Sequence, residues 1–163
     1  MPAIVAPMTV QTFIANEAIR AMEGLIKQAR KVPADKVSWK PMDEGRSVLD
    51  QVSECAIIPG YMPIILSTLK GPEFTEESMK AFRDAKDALD TLDKAEAALR
   101  ENTAKAVEAI LAVPDDKLQM EIPFFGPGMW KICEIMNSHT WNLHYHTGQI
   151  CYIQTLLGDH SMG

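Results

Sequence analysis

Near the C-terminus, His139, Asn142, His144 and His146 crowd into eight residues, the part of the chain best equipped for chemistry. Imidazole can ligate a divalent ion, carry a proton, or serve as a hydrogen-bonded core group. On a helix turning 100° per residue, His139, Asn142 and His146 fall within about 60° of arc. His144 points about 160° away from His146, so the sequence HYH is a poor chelate. A shared site needs a further donor from another helix, and Glu54 is the natural one. It sits beside Cys55, Ala56 and Ile57, where a buried carboxylate is costly unless paired. A metal, an imidazole or an amide could each pair it. Glutamate with histidine suits zinc, nickel, iron or manganese, whereas asparagine is a weak, neutral ligand. The candidate metal set is therefore Glu54, Asn142, His146 and His139, and a metal-free polar seam of the same residues is the alternative.

Other chemistries find less support. The chain has no phosphate-cradling glycine loop, no GxSxG elbow, no HExxH and no calcium-loop pattern. Its Phe124-Phe125-Gly126-Pro127-Gly128 turn has phenylalanine and proline where a phosphate would want free amides. Glu-x-x-His pairs of the di-iron kind do not repeat. Cys133 and Cys151, about 27 Å apart along one helix, cannot share a site and read as small packing groups. Trp130 and Trp141 read as core or interface groups.

The elements that must position these residues are helical. Thr9 caps a helix expected over Val10–Arg30, with Phe13, Ile14, Ala18, Ala21, Leu25 and Ile26 at helical spacing. An extended connection follows, in which Trp39 and Met42 are expected to cover one end of the core. Ser47 is a candidate N-cap with Asp50 as an acidic capping-box partner, opening a helix from Val48 to about Leu69. Pro59 and Pro63 fall inside it and predict a kink or a re-initiation near Pro59, because each removes a backbone donor. A short polar helix is expected over Glu76–Phe82, and a third long helix over Thr91–Leu111. Met120–Pro123 reads as a short extended element. The last helix is expected over Met129–Leu157, near 43 Å at about 1.5 Å per residue. No strand of useful length is expected.

At 163 residues the chain is the size of one domain, residues 1–163. A net charge of −6 with no Lys/Arg cluster argues against nucleic-acid and anionic-membrane partners. Three unclustered cysteines point to free thiols and a cytoplasmic protein. The N-terminal MPAIVAPMTVQTF has no basic region ahead of an apolar run, so no signal peptide is expected. Ala56–Leu69 is apolar over 14 residues, too short to span a bilayer and oily enough to be buried in a bundle or a homodimer.

Two stretches resemble the DinB/YfiT-like superfamily. His146-Thr147-Gly148-Gln149-Ile150 is similar to that family's His-Arg-Gly-Gln-Ile, and Ser47-Val48-Leu49-Asp50-Gln51-Val52-Ser53-Glu54 to the start of its second helix. Trp39-Lys40-Pro41 and Tyr152–Gly158 fit as well, so the likeness spans nearly the whole chain. The resemblance implies an all-α DinB/YfiT-like four-helix bundle, often dimeric, with three histidines holding a metal in an open cleft. Those positions map to Glu54, Asn142 and His146, so only His146 keeps the residue type, and Thr147 replaces an arginine. The family includes bacillithiol- and mycothiol-dependent transferases and isomerases. Two functions are therefore expected to compete. One is a degenerate divalent-metal site serving a small-molecule or thiol transferase. The other is a non-enzymatic homodimer with a metal-free polar cleft for a small-molecule ligand.

Overall fold

The computed structural model describes residues 7–161; the first six residues of the stretch weighed as a leader lie outside them. Four long helical runs form the bundle: α1 (Val10–Lys31), the broken pair α2 (Val48–Ile57) and α3 (Met62–Thr68), α5 (Leu92–Leu111) and α6 (Ile132–Leu156). A short helix, α4 (Glu76–Asp87), leads into α5. Among the described residues no helix is long and apolar enough to cross a membrane.

Caps fix where these helices begin. The hydroxyls of Thr9, Ser47, Thr75 and Thr91 each accept the amide three residues on, satisfying one of the unpaired donors of a first turn. Asp50 does not complete a capping box at Ser47; its carboxylate is held instead by Arg46 and Lys86. The Lys86 contact also explains why α4 runs past Phe82 to Asp87, since it ties the last turn of α4 to α2.

The expected kink at Pro59 is a 3-10 turn over Ile58–Tyr61. Proline offers no N–H to the last carbonyls of α2, and the Asn102 amide of α5 donates to Ala56 O at 2.9 Å in compensation. Beyond the turn, Met62, Ile65 and Leu66 are buried in the bundle. Trp39 packs on the core as expected, but Met42 is exposed.

The last helix starts three residues later than its sequence suggests. Met129–Lys131 forms a strand, β2, paired antiparallel with β1 (Glu121–Pro123), with Ile122 opposite Trp130. Ile122 is buried, so the hairpin closes one end of the core. Lys131 N donates to the Glu134 carboxylate at 2.8 Å, which starts α6 at Ile132. Gly71 lies so near the hairpin that a Cβ there would stand 1.9 Å from Pro123 O. Only glycine permits that approach.

Helix directions follow from contacts at both ends. Gln154 of α6 donates to Gln28 O of α1, while Phe13 lies near Cys133, so α1 and α6 run parallel. Arg100 pairs with Glu23 and Gln11 donates to Val113 O, so α5 runs against α1. Gln51 and Glu54 reach His146 while Cys55 meets Asn142, so α2 runs against α6. The apolar interior falls into two clusters, one around Leu25, Val52, Leu99 and Leu143, the other around Met62, Ile110, Ile132 and Met136. Along α6, His139 falls between them, and so does Thr103 along α5.

Candidate functional site

The site is built where α2 and α6 run antiparallel. His146 is 1% exposed, and its Nε2 lies 3.0 Å from Glu54 Oε1. Arg46, on the residue before the Ser47 cap, pairs with Glu54 Oε2 at 2.7 Å and with Asp50 Oδ2 at 2.5 Å. Lys86 reaches the second Asp50 oxygen from α4. Gln51 donates its amide to Arg46 O, which turns its oxygen toward His146 Nδ1 at 3.2 Å. Gln149 Oε1 faces the same nitrogen at 2.9 Å.

Electrostatics follow from this packing. Burial works to raise the Glu54 carboxyl, but hydrogen bonds from His146 and Arg46, with the Arg46 charge, outweigh it and hold it below its ordinary value. Asp50 shows the same balance: burial opposes, while Lys86 and Arg46 prevail and lower it. Desolvation works against the Arg46 cation, yet Asp50 and Glu54 raise it. An ionised carboxylate can only accept hydrogen bonds. The proton in the His146–Glu54 contact therefore sits on Nε2. Arg46 and Lys86 face Asp50 and Glu54, two charges of each sign, and the cluster is neutral in their formal charges.

The other sequence candidates point elsewhere. Asn142 turns its amide to Cys55 Sγ at 3.6 Å. That thiol is raised well above its usual range by burial and, secondarily, by the Glu54 charge. His139 shares the buried face of α6 but meets α5, with Nε2 2.9 Å from Thr103 Oγ1. Burial alone lowers its imidazole to about 4, and its Nδ1 has no hydrogen-bond partner. His144 is exposed, as the face assignment requires. The structure thus brings Glu54 and His146 together and sends Asn142 and His139 to other neighbours. Cys55, Cys133 and Cys151 are all free, the last two half-buried.

These donors do not fit a metal well. Among the described residues, no three His, Cys, Asp or Glu side chains are grouped to hold an ion. Glu54 already carries a guanidinium on one oxygen and an imidazole N–H on the other. Arg46, Asp50, Gln51 and Lys86 were not candidates from sequence. Arg46, Asp50 and Glu54 do form a readable i, i+4, i+8 ladder that puts them on one helical face. Lys86, arriving from another helix, left no such signal.

This arrangement of helices is the DinB/YfiT-like four-helix-bundle fold. YfiT from Bacillus subtilis, described as a probable metal-dependent hydrolase with an unusual four-helix bundle topology, superposes with a TM-score of 0.73 at 14% identity, over 97% of this chain and 93% of its own. The colibactin self-resistance protein ClbS, solved in complex with double-stranded DNA, gives 0.67 at 16% identity, over 93% of this chain and 98% of its own. The mycothiol-dependent maleylpyruvate isomerase gives 0.65 at 12% identity, over 86% of this chain but 60% of its own. No family model matches the sequence, and no curated protein matches it.

Proposed function

We propose that this chain is a metal-independent, non-enzymatic binding protein of the DinB/YfiT-like fold, with the edge formed by Arg46, Asp50, Glu54 and His146 as its small-molecule cleft. The observation that carries the reading is the N–H of His146 donating to a Glu54 carboxylate already paired with Arg46. A metal between Glu54 and His146 would have to displace the Nε2 proton and add two positive charges beside Arg46, in a cluster balanced without it. The fold does not choose a chemistry, since the three similar structures are described as a probable metal-dependent hydrolase, a DNA-bound resistance protein and a mycothiol-dependent isomerase. Glu54 and Asp50 remain partly accessible, with side chains 22% and 29% exposed. A polar ligand can therefore exchange with Arg46 at the rim while His146 stays fixed beneath.

One observation favours the second reading, a degenerate divalent-metal site serving small-molecule or thiol transfer. Two donors at right angles around one ion, each about 2.1 Å from it, stand about 3 Å apart, the separation of Glu54 Oε1 and His146 Nε2. Elemental analysis of tag-free protein purified without chelator separates the readings. The metal-independent one expects far less than one metal per chain and no rise in Tm with zinc, nickel or manganese. Near-stoichiometric metal would sink it. Arg46→Ala sharpens the test: metal affinity appearing only in that variant would identify the guanidinium as the group that excludes the ion.

A further inference from the structure

The Arg46 side chain lies on the cleft as a bound ligand would. Its Nε donates to Asp50 Oδ2 at 2.5 Å and its Nη2 pairs with Glu54 Oε2 at 2.7 Å. One edge of a single guanidinium therefore bridges two carboxylates set one turn apart on α2. Nη2 also stands 3.4 Å from Asp50 O. Two N–H groups held in one plane, each on an ionised oxygen, make hydrogen bonds that carry direction as well as charge.

The start of α2 rests on other atoms. Ser47 Oγ accepts Asp50 N at 3.2 Å, Leu49 N donates to Val37 O, and the Gln51 amide donates to Arg46 O at 3.3 Å. That last acceptor is a backbone atom, which any residue at 46 would supply. The arginine side chain is itself 36% exposed, so it can turn into water without disturbing the core. The acceptors it covers keep their other partners, His146 on Glu54 Oε1 and Lys86 on Asp50 Oδ1.

Charge decides what can take its place. Without Arg46, the formal charges of Asp50, Glu54 and Lys86 leave one net negative charge on half-buried oxygens. An anion is repelled there, a neutral molecule leaves the charge uncompensated, and a divalent ion overshoots it. From this we infer that the cleft takes a small molecule bearing a guanidinium or amidinium group, and that Arg46 is its built-in competitor. The inference rests on the binding function proposed above and narrows its ligand. A primary ammonium has the right charge, but it is a strongly hydrated point charge whose donors diverge, and it lacks the flat edge that the two oxygens now hold. Being tethered, Arg46 competes at an effective concentration in the millimolar range, so an outside ligand binds more weakly while it is present.

Methylguanidinium is the probe, titrated calorimetrically into tag-free Arg46→Ala at constant ionic strength. A single site is expected with a Kd of about 1 mM, in keeping with so small a cation. Methylammonium is expected to bind at least about ten-fold more weakly, and wild type to bind methylguanidinium at least about ten-fold more weakly than the variant does. Adding Glu54→Gln to Arg46→Ala should weaken binding by a similar factor. Arg46→Gln, which keeps the length of the stem, serves for the same titration if Arg46→Ala loses the far-UV circular dichroism of wild type. Absence of saturable methylguanidinium binding to the folded variant would overturn the inference. So would equal affinity for methylammonium, or undiminished binding after Glu54→Gln. Zinc separates this failure from that of the broader reading. A variant that takes up zinc stoichiometrically and no methylguanidinium overturns the metal-independent reading too, whereas one that takes up neither overturns only the guanidinium ligand.

Discussion

His139 and His146 lie two turns apart on one buried face of α6, nearly inaccessible to water, but their neighbours give them opposite characters. His146 looks onto α2, which supplies Glu54 and Gln51, with Arg46 behind them. His139 looks onto α5, which supplies one hydroxyl, and its Nδ1 has no hydrogen-bond partner. Equal burial therefore does not mean equal chemistry. Desolvation without a charged partner drives an imidazole to the neutral form, whereas a facing carboxylate gives an N–H a strong acceptor. The difference comes from α2 and α5, the helices that face them.

The largest effect expected from this contrast lies in acid stability. Burial holds the His139 imidazole at about 4 in the folded chain against its ordinary 6.5, so below pH 6.5 the unfolded chain takes up a proton the native one refuses. Its contribution is complete above about pH 6.5 and drains away as pH falls toward 4, a loss of roughly 3 kcal/mol. Urea unfolding from pH 7 to 4 should show this slope, and His139→Leu should flatten it. Glu54 and Asp50 act in a lower window. Their folded values lie below the ordinary 4.5 and 3.8, so the stability they add is present above those values and is lost as pH falls through the folded ones.

A double-mutant cycle probes the other histidine. Glu54→Ala and His146→Ala should couple by about 1–2 kcal/mol at pH 7, as expected for a charge-assisted hydrogen bond. The same cycle with His139→Ala should couple to Glu54 by less than about 0.5 kcal/mol. Comparable coupling in both would erase the distinction between the two sites. Smaller effects are expected at the flanks. Asn142→Ala, which loses only a contact to sulfur, should cost less than about 1 kcal/mol, and the exposed His144→Ala should stay within about 0.5 kcal/mol of wild type.

Much of this was readable beforehand because it is local. Thr9 and Ser47 announce their helices through a hydroxyl three residues before an amide, whereas the start of α5 at the Thr91 cap could not be placed closely because the residues before it are also permissive. Pro59 announces its kink through the donor it lacks. The direction of His144 away from His146 follows from helical rotation alone. The late start of α6 was hidden because Met129–Lys131 is as permissive in a helix as in a strand. Only its pairing with Glu121–Pro123, earlier in the chain, decides between them. Asn142 and His139 were grouped with His146 because they share its face, but a helix 60° wide at the contact meets more than one neighbour.

By itself, the sequence determined which residues stand on which side of each helix, since periodicity and capping act over a few residues. Tertiary structure alone decided that Glu54 meets His146, that Arg46 meets Glu54, and that His139 meets only Thr103. Those pairings depend on how helices far apart in the chain are set side by side, and electrostatic interactions at hydrogen-bond range change completely with a shift of one turn.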